Sequence, residues 1–238
     1  MTASVHRLPS RASSTDATRD AIVLFDLDHT LLHGDSDVLW CEFLMAEGVL
    51  ERAAFAARNA DMEARYKAGT VGVAEFADFY VGTLAGRTAA DWEPLRQRFL
   101  REMVLPRIPN AARRLVQDHR ESGALVAMTT ATNRFITELT AQHLGIEHLL
   151  ATEPLIESGR FTGSTHGTLN MREGKVQRLH DWLAGRSLSL AGLHSTAYSD
   201  SINDLPLLQA VDVPVAVDPD PRLAAIAGER GWRVLSLR

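Results

Sequence analysis

The chain has 238 residues, of which 45% are apolar, and a formal net charge of −5 at neutral pH. This is enough apolar material for one large core, or for a core domain with a smaller second one, and it excludes a fibrous or disordered protein. Acidic and basic residues are mixed along the chain, so no basic face is predicted for a nucleic-acid backbone. We expect a globular protein without a nucleic-acid partner, and its oligomeric state stays open.

The cysteine content and the apolar runs bear on the compartment. Cys41 is the only cysteine in the sequence, so neither an internal disulfide nor a CxxC metal site can form, which fits a reducing compartment. No segment has eighteen consecutive apolar residues, and the amino-terminal segment lacks the apolar run of a secretory signal. We predict a cytoplasmic protein with no membrane partner.

Residues 1–20, MTASVHRLPSRASSTDATRD, are rich in Ser, Thr, Ala and Arg and show no apolar periodicity. Such a segment buries too little apolar surface to offset the entropy that is lost when a chain becomes ordered. We therefore expect these residues to form a loose, disordered tail that precedes the folded part.

After the tail, short runs of β-type residues alternate with longer helical patterns. The predicted strands are residues 22–25, 125–129, 149–152, 196–198, 213–217 and 233–237. This alternation predicts an α/β fold with a parallel sheet and helices on both of its faces. The segment LIESGRFTGSTHG alternates around Ser158-Gly159, which is typical of a hairpin.

Residues 37–105 interrupt the alternation directly after the first strand. Apolar residues recur there at spacings of three and four, and no strand pattern intervenes. Pro106 and Pro109 mark the return to the main domain. The predicted domains are therefore a core over 21–36 and 106–238 and a helical insertion over 37–105. A small core of its own is expected in the insertion, from Phe43, Met45, Phe55, Met62, Phe76 and Phe79.

Two aspartates, Asp26 and Asp28, follow the first predicted strand in AIVLFDLDHT. Residues two apart in an extended chain face the same way, so both carboxylates can point into one site. The carboxyl ends of the strands are where open parallel sheets bind ligands. Two carboxylates this close repel each other unless a cation or a proton lies between them, and oxygen ligands suit Mg²⁺. The pair therefore predicts a magnesium site.

Further polar residues follow other predicted strands or begin a helix. Asp200 and Asp204, in TAYSDSINDLPLL, follow a later strand and can converge on the same sheet edge. Thr129 and Thr130 end the β-type run of LVAMTTATNRF, and Lys175 begins the amphipathic helix of NMREGKVQRLHDWL. A hydroxyl and an ammonium are groups that bind phosphate. The pattern predicts a site where a metal and a phosphate meet.

DLDHT at 26–30, TT at 129–130, Lys175 and DSIND at 200–204 are similar to four ordered motifs of the haloacid dehalogenase-like (HAD) phosphatases. The resemblance is closest to the phosphoserine-phosphatase-like branch, subfamily IB, and it runs from about residue 20 to the end. It implies a Rossmann-like core with a doubly wound parallel sheet. It also implies a helical cap domain between the first two motifs, where the insertion falls.

The resemblance also implies a catalytic role for individual residues. Asp26 would be the nucleophile that forms an aspartyl-phosphate, and Asp28 the general acid and base. Thr30 would support the loop that carries both. Thr130 and Lys175 would bind the phosphoryl oxygens, and Thr130 is preferred to its neighbour because it falls where the family's strand ends.

The implied cofactor is Mg²⁺, bound by the carboxylates of Asp26 and Asp200 and by the main-chain carbonyl of Asp28. Asp204 would support these ligands from behind, and Asn203 would reach the phosphate. The metal and the lysine would together neutralise the charge that repels an anionic substrate from an anionic nucleophile. The expected partner is a small phosphorylated metabolite.

Asp35 falls where phosphoserine phosphatases carry an acid that contacts the substrate amine, so an amino-bearing phosphomonoester is implied. The family's Gly-Gly after the second-motif hydroxyl is Ala131-Thr132 here, which departs from the pattern for phosphoserine. Arg58 and Arg65 are candidates for contacting a substrate carboxylate. Phosphoserine and histidinol phosphate, which has no carboxylate, are both left open as substrates.

Two other functions remain open on the sequence. A phosphotransferase or mutase would return the phosphoryl group to a sugar instead of to water. A phospho-acceptor switch would also use acids, a hydroxyl and a lysine around Mg²⁺, but it would need neither the acid Asp28 nor a cap. The preferred interpretation is a Mg²⁺-dependent phosphatase.

Overall fold

The structure of the protein is a computed structural model that describes residues 20–68 and 70–238. Its strands lie where the sequence predicts them. They are β1 (Ala21–Phe25), β2 (Leu125–Asn133), β3 (His148–Glu157), β4 (Arg160–His166), β5 (His194–Ser199), β6 (Val213–Val217) and β7 (Arg233–Leu235). The predicted tail, residues 1–20, lies outside the described residues apart from Asp20.

Within the described residues these strands form one seven-stranded sheet in the order β4-β3-β2-β1-β5-β6-β7. Neighbouring strands are parallel, except that β4 is antiparallel to β3. The chain builds outward from β1 through β2 to β4 and then returns to the other side of β1 with β5. The direction of winding therefore changes at β1, and the predicted doubly wound α/β fold is confirmed.

Helices connect the strands on both faces of the sheet. They are α1 (Ser36–Ala46), α2 (Arg52–Lys67), α3 (Val73–Val81), α4 (Ala89–Phe99), α5 (Asn110–Glu121), α6 (Arg134–His143), α7 (Glu173–Ala184), α8 (Leu205–Ala210) and α9 (Pro221–Arg230). Across the described ranges, no helix is both long enough and apolar enough to cross a membrane.

The central strand β1 is apolar throughout because both of its faces are covered. Ile22 and Leu24 belong to one cluster of buried side chains, and Val23 and Phe25 belong to another on the opposite face. Successive side chains of a strand point to opposite faces, which accounts for the division. The ring of Phe25 stacks on Tyr198 of β5 with centroids 4.7 Å apart. The residues that follow β1 therefore start from a rigidly packed position.

The predicted insertion contains the helices α1 to α4, and its apolar residues pack in two places. Trp40 of α1 and Phe99 of α4 join the large cluster that also contains Phe25, with their rings 5.1 Å apart. A smaller cluster consists of the buried residues Cys41, Phe55 and Tyr80. Met45, Phe76 and Phe79 pack against this smaller cluster as expected. The expectation is wrong for Phe43, which lies in the large cluster.

The predicted hairpin is confirmed, and it packs against α3. Its turn residues Ser158 and Gly159 have φ angles of 50° and 77°, the positive values that a tight hairpin turn requires. The main-chain N–H and the hydroxyl of Thr165 in β4 each donate a 2.7 Å hydrogen bond to Oδ1 of Asp78. Gly163 has φ 93°, and a Cβ there would lie 3.0 Å from the Cβ of Ala85.

The close packing of the hairpin gives a stability prediction. Gly163→Ala should lower the free energy of unfolding more than Gly159→Ala does. Both changes force a positive φ on alanine, which costs about 1 kcal/mol, but only Gly163 faces another segment. We expect a loss of about 2 kcal/mol for Gly163→Ala, measured by urea unfolding. Equal losses would show that the turn after α3, where Ala85 lies, does not press on the hairpin.

Candidate active site

A cavity of about 260 Å³ opens at the carboxyl ends of β1, β2 and β5. Among the residues that the structure describes, its lining includes six aspartates and one lysine but no arginine. These charged residues are Asp26, Asp28, Asp35, Asp37, Asp200, Asp204 and Lys175. The predicted residue Asn203 also lines it, as does the exposed His29. The sheet topology thus brings both predicted acidic pairs and the predicted lysine to one place.

A tight turn after β1 brings the side chains of Asp26 and Thr30 together. The amides of Thr30, Leu31 and Leu32 all donate to the carbonyl of the buried Leu27. The Thr30 hydroxyl consequently lies 2.9 Å from Asp26 Oδ2 and 3.2 Å from Asp200 Oδ1. Because one hydroxyl reaches both carboxylates, the acids that follow β1 and β5 are held side by side.

Lys175, in the first turn of α7, provides the positive charge of the site. Its Nζ donates hydrogen bonds of 2.8 Å to Asp26 Oδ1 and 2.7 Å to Asp204 Oδ2. All three side chains are buried, and the Ser199 hydroxyl donates a further 2.7 Å bond to Asp204. Asp204 therefore fixes the ammonium from behind while Asp26 faces the cavity.

The two threonines at the end of β2 point in different directions. The Thr130 hydroxyl lies 3.4 Å from Asp28 Oδ2, whereas the Thr129 hydroxyl accepts a 2.9 Å bond from Asn170. Asn170 also donates to the carbonyls of Thr130 and Leu150, so it ties the ends of two strands together. Thr130 is the one directed at the site, although it is fully buried and does not itself line the cavity.

Thr132 and Asp37 are residues of the site that the sequence reasoning missed. The Thr132 hydroxyl lies 3.0 Å from Asp28 Oδ2 and 3.2 Å from Asp37 Oδ2. The other oxygen of Asp28 accepts a 2.7 Å bond from the amide of Ser36. Thr132 stands two residues after Thr130 in a strand, and this spacing is a signal that could have placed it on the same side. No local signal marks Asp37.

The wall of the cavity opposite the strand ends comes from α1 and α3. Asp35 caps α1 through a 3.0 Å bond to the amide of Val38 and lines the cavity, as Phe76 and Tyr80 of α3 also do. Phe76 thus both packs in the insertion and faces the cavity. An acidic and partly aromatic wall suits a cationic or amino-bearing group.

The two candidate arginines do not reach this wall. The guanidinium of Arg58 lies over the ring of Phe79, 5.6 Å from its centroid. Arg65 forms a 2.9 Å ion pair with Glu75. Neither is among the residues that line the cavity. The described residues therefore offer a substrate carboxylate no arginine in this cavity.

Burial and mutual repulsion shift the protonation of the acids. Burial is the main cause that raises the pKa of Asp26 to about 7, with Lys175 opposing it and Asp204 adding to it. Burial, followed by the nearby charge of Asp26, raises the pKa of Asp200 to about 8. Burial and the charge of Asp35 raise the pKa of Asp28 to about 6. The single positive charge of Lys175 therefore does not neutralise the aspartates of this cluster.

The donor set fits a hard divalent cation. In the part of the chain that the structure describes, no three His, Cys, Asp or Glu side chains are placed to enclose a metal. The expected set needs only two, Asp26 and Asp200, whose oxygens share the Thr30 hydroxyl, together with the main-chain carbonyl of Asp28. These are all oxygen donors, and Mg²⁺ keeps several waters when it is bound by one or two carboxylates.

Comparisons with known proteins identify the family of the chain. A family model described as haloacid dehalogenase-like hydrolase matches residues 23–209. The chain is 36% identical over 219 residues to a histidinol-phosphatase of Neisseria meningitidis serogroup C, which covers 91% of this chain and 99% of that protein. It is 31% identical over 221 residues to a phosphoserine phosphatase, SerB1, of Mycobacterium tuberculosis, which covers 92% of this chain and 71% of that protein.

A solved structure of a protein of unknown function from Bordetella pertussis Tohama I superposes with a TM-score of 0.90 at 42% identity, covering 93% of this chain and all of that one (100%). The chain belongs to the haloacid dehalogenase-like hydrolase family. It is a phosphoric monoester hydrolase, and the resemblance to the phosphoserine-phosphatase-like branch is confirmed.

The shifted acids predict how pH and Mg²⁺ act on stability. Asp26 and Asp200 have folded pKa values of about 7 and about 8, above their ordinary value of 3.8. Between pH 4 and pH 8, approximately, the folded state binds more protons than the unfolded state, so its stability falls as the pH rises. In EDTA, the melting temperature should fall as the pH is raised from about 5 to about 8.

Added Mg²⁺ should raise the melting temperature at the alkaline end and flatten this dependence, because a cation takes the place of the protons. Asp200→Asn should reduce both the slope in EDTA and the stabilisation by Mg²⁺, measured by differential scanning fluorimetry. If added Mg²⁺ left the melting temperature unchanged at every pH, this result would contradict a metal site here.

Proposed function

We propose that the protein is a Mg²⁺-dependent phosphatase that hydrolyses a small phosphomonoester through an aspartyl-phosphate on Asp26. We further propose that its substrate carries an amino group and no carboxylate, as histidinol phosphate does. The observation that carries the proposal is the charge of the cavity, where six aspartates, one lysine and no arginine appear among the lining residues that the structure describes. The expected compartment is the cytoplasm.

The nucleophile would be the Asp26 carboxylate. Lys175 and Thr30 each donate to one of its oxygens, which holds the group in one orientation at the cavity wall. Attack on phosphorus forms the bond between Asp26 and the phosphoryl group and breaks the bond from phosphorus to the substrate oxygen. A bound Mg²⁺, held by Asp26, Asp200 and the Asp28 carbonyl, would supply positive charge to the phosphoryl oxygens.

The general acid would be Asp28, which gives its proton to the departing alkoxide. Its pKa of about 6 keeps part of the population protonated near neutral pH. In the second half-reaction Asp28 takes a proton from water, whose oxygen attacks the aspartyl-phosphate, and phosphate leaves as Asp26 is restored. Thr130, Lys175 and Asn203 are proposed to bind the phosphoryl oxygens.

The insertion over 37–105 is proposed to act as a cap domain that selects the substrate. Asp35 and the aromatic residues Phe76 and Tyr80 line its side of the cavity, where an ammonium would gain a charge-assisted hydrogen bond. Arg58 and Arg65 are engaged elsewhere, so a substrate carboxylate would find no arginine among the described lining residues. This arrangement favours histidinol phosphate over phosphoserine, and the 36% identical relative is named for the former.

A panel of phosphomonoesters assayed with Mg²⁺ tests the proposal. Histidinol phosphate should give a higher kcat/KM than phosphoserine, and sugar phosphates should be poor substrates. Equal or better turnover of phosphoserine would overturn the substrate assignment. Transfer of the phosphoryl group to an added sugar would instead indicate a phosphotransferase. Slow loss of a covalent phosphate with no turnover of any compound would indicate a switch.

Asp26→Asn should abolish both turnover and the covalent phosphoenzyme, because an amide oxygen is a poor nucleophile for phosphorus. Acid-quenched enzyme, digested and examined by mass spectrometry, should carry phosphate on Asp26 in the wild type only. Phosphate found on another residue would overturn the assignment of the nucleophile.

Asp35→Asn should lower kcat/KM for the amino-bearing compound by roughly 5- to 150-fold, the range for losing a hydrogen bond between charged groups. Turnover of p-nitrophenyl phosphate, which has no amine, should stay nearly unchanged. Glu42→Gln, an exposed acid on the same helix, is the matched control and should affect neither compound. Equal losses on both compounds would mean that Asp35 supports the fold or the metal.

A further inference from the structure

Thr132 reaches the site because β2 is irregular at its end. The pairing of β2 with β3 shifts register between Thr130 and Asn133, and the shift carries Ala131 and Thr132 to the cavity wall. Thr132 is 3% exposed, and its amide donates a 3.2 Å bond to the Thr130 hydroxyl. Its side chain is therefore held in place by the main chain of the bulge.

The hydroxyl of Thr132 lies between two carboxyl groups. It is 3.0 Å from Oδ2 of Asp28 and 3.2 Å from Oδ2 of Asp37. Since the amide of Ser36 binds the other oxygen of Asp28 at 2.7 Å, both oxygens of Asp28 have a fixed partner. A carboxyl group with a partner on each oxygen cannot rotate freely.

We propose that Thr132 and Asp37 are positioning residues for Asp28: Asp37 orients the Thr132 hydroxyl, and the hydroxyl orients Asp28 toward the oxygen that leaves the phosphorus. The inference rests on the proposed phosphatase function. It assigns a role to the threonine that stands where the resembling family has glycine, since a glycine there would have no hydroxyl to place 3.0 Å from Asp28.

Packing alone does not account for this arrangement. Valine has nearly the same shape as threonine and would fill the same space, but it would leave Oδ2 of Asp28 without this hydroxyl. Asp37, in the first turn of α1, has its Oδ2 engaged by Thr132. A hydroxyl has one proton, so it can donate to one of the two carboxyl groups and accept a hydrogen bond from the other. An apolar side chain can do neither, so it cannot position a proton donor.

Thr132→Val is the test variant, Thr132→Ser the conservative one, and Thr137→Val the matched control. Thr137 is also buried, and its hydroxyl donates to the carbonyl of Asn133 outside the cavity. First-turnover rates are measured with Mg²⁺ on an alkyl phosphomonoester and on p-nitrophenyl phosphate. An alkoxide needs a proton in order to leave, whereas nitrophenolate is a weak base and leaves without one.

Thr132→Val should slow the first turnover of the alkyl ester by about 10- to 100-fold, a part of what general acid catalysis contributes. The first turnover of p-nitrophenyl phosphate should fall by less than about 3-fold. Thr132→Ser should restore the alkyl rate, and Thr137→Val should leave the ratio of the two rates unchanged. Because incomplete folding lowers both rates equally, the ratio remains informative even for a less stable variant.

Asp37→Asn should show the same selectivity to a smaller extent, and it should add nothing in a Thr132→Val background, because Asp37 acts through that hydroxyl. Equal losses on both esters, or unchanged rates for Thr132→Val, would overturn the role of Thr132. Additive losses would overturn the route from Asp37 through Thr132. A wild type that turns over neither ester would refute the proposed function instead.

Discussion

The buried Lys175 ammonium between Asp26 and Asp204 is the interaction on which the rest of the site depends. Removing one cation and two carboxylates from water is costly, and good geometry is needed to offset it. Here Nζ has bonds of 2.8 and 2.7 Å, Ser199 binds Asp204, and Thr30 binds Asp26. The network joins α7 to the ends of β1 and β5, so the Asp26 carboxylate, the proposed nucleophile, is held in one orientation.

One lysine does not balance the six aspartates of the described lining, and this excess of negative charge underlies both the proposed metal and the proposed substrate. Burial first, and then the neighbouring carboxylates, raise the pKa values of Asp26 and Asp200, and a divalent cation held by these acids at this end of the cavity would take the place of their protons. At the other end, where Asp35 lies, the described lining residues include no arginine. A substrate with an ammonium and without a carboxylate matches both ends at once.

The insertion is placed by contacts that lie outside the cavity. Asp78 binds two donors of Thr165, and Gly163 allows the turn after α3 to approach the hairpin. These contacts hold α3 so that Phe76 and Tyr80 face the cavity. Trp40 and Phe99 hold the neighbouring helices α1 and α4 against the large cluster. Different segments therefore line the two sides of the cavity, and the hairpin contacts the one that carries Phe76 and Tyr80.

The sequence by itself determined the strands, their mainly parallel arrangement and the position of Asp26, Asp28 and Lys175 at strand ends or a helix start, because strand periodicity and the polar residues that end each strand are local properties of the chain. The order of the strands in the sheet came from the structure. Only the tertiary structure decided that Phe43 packs with the sheet, that Arg58 and Arg65 turn away, and that Asp37 meets Thr132 across 95 residues. Such contacts depend on how helices pack against the sheet, which no short-range pattern encodes.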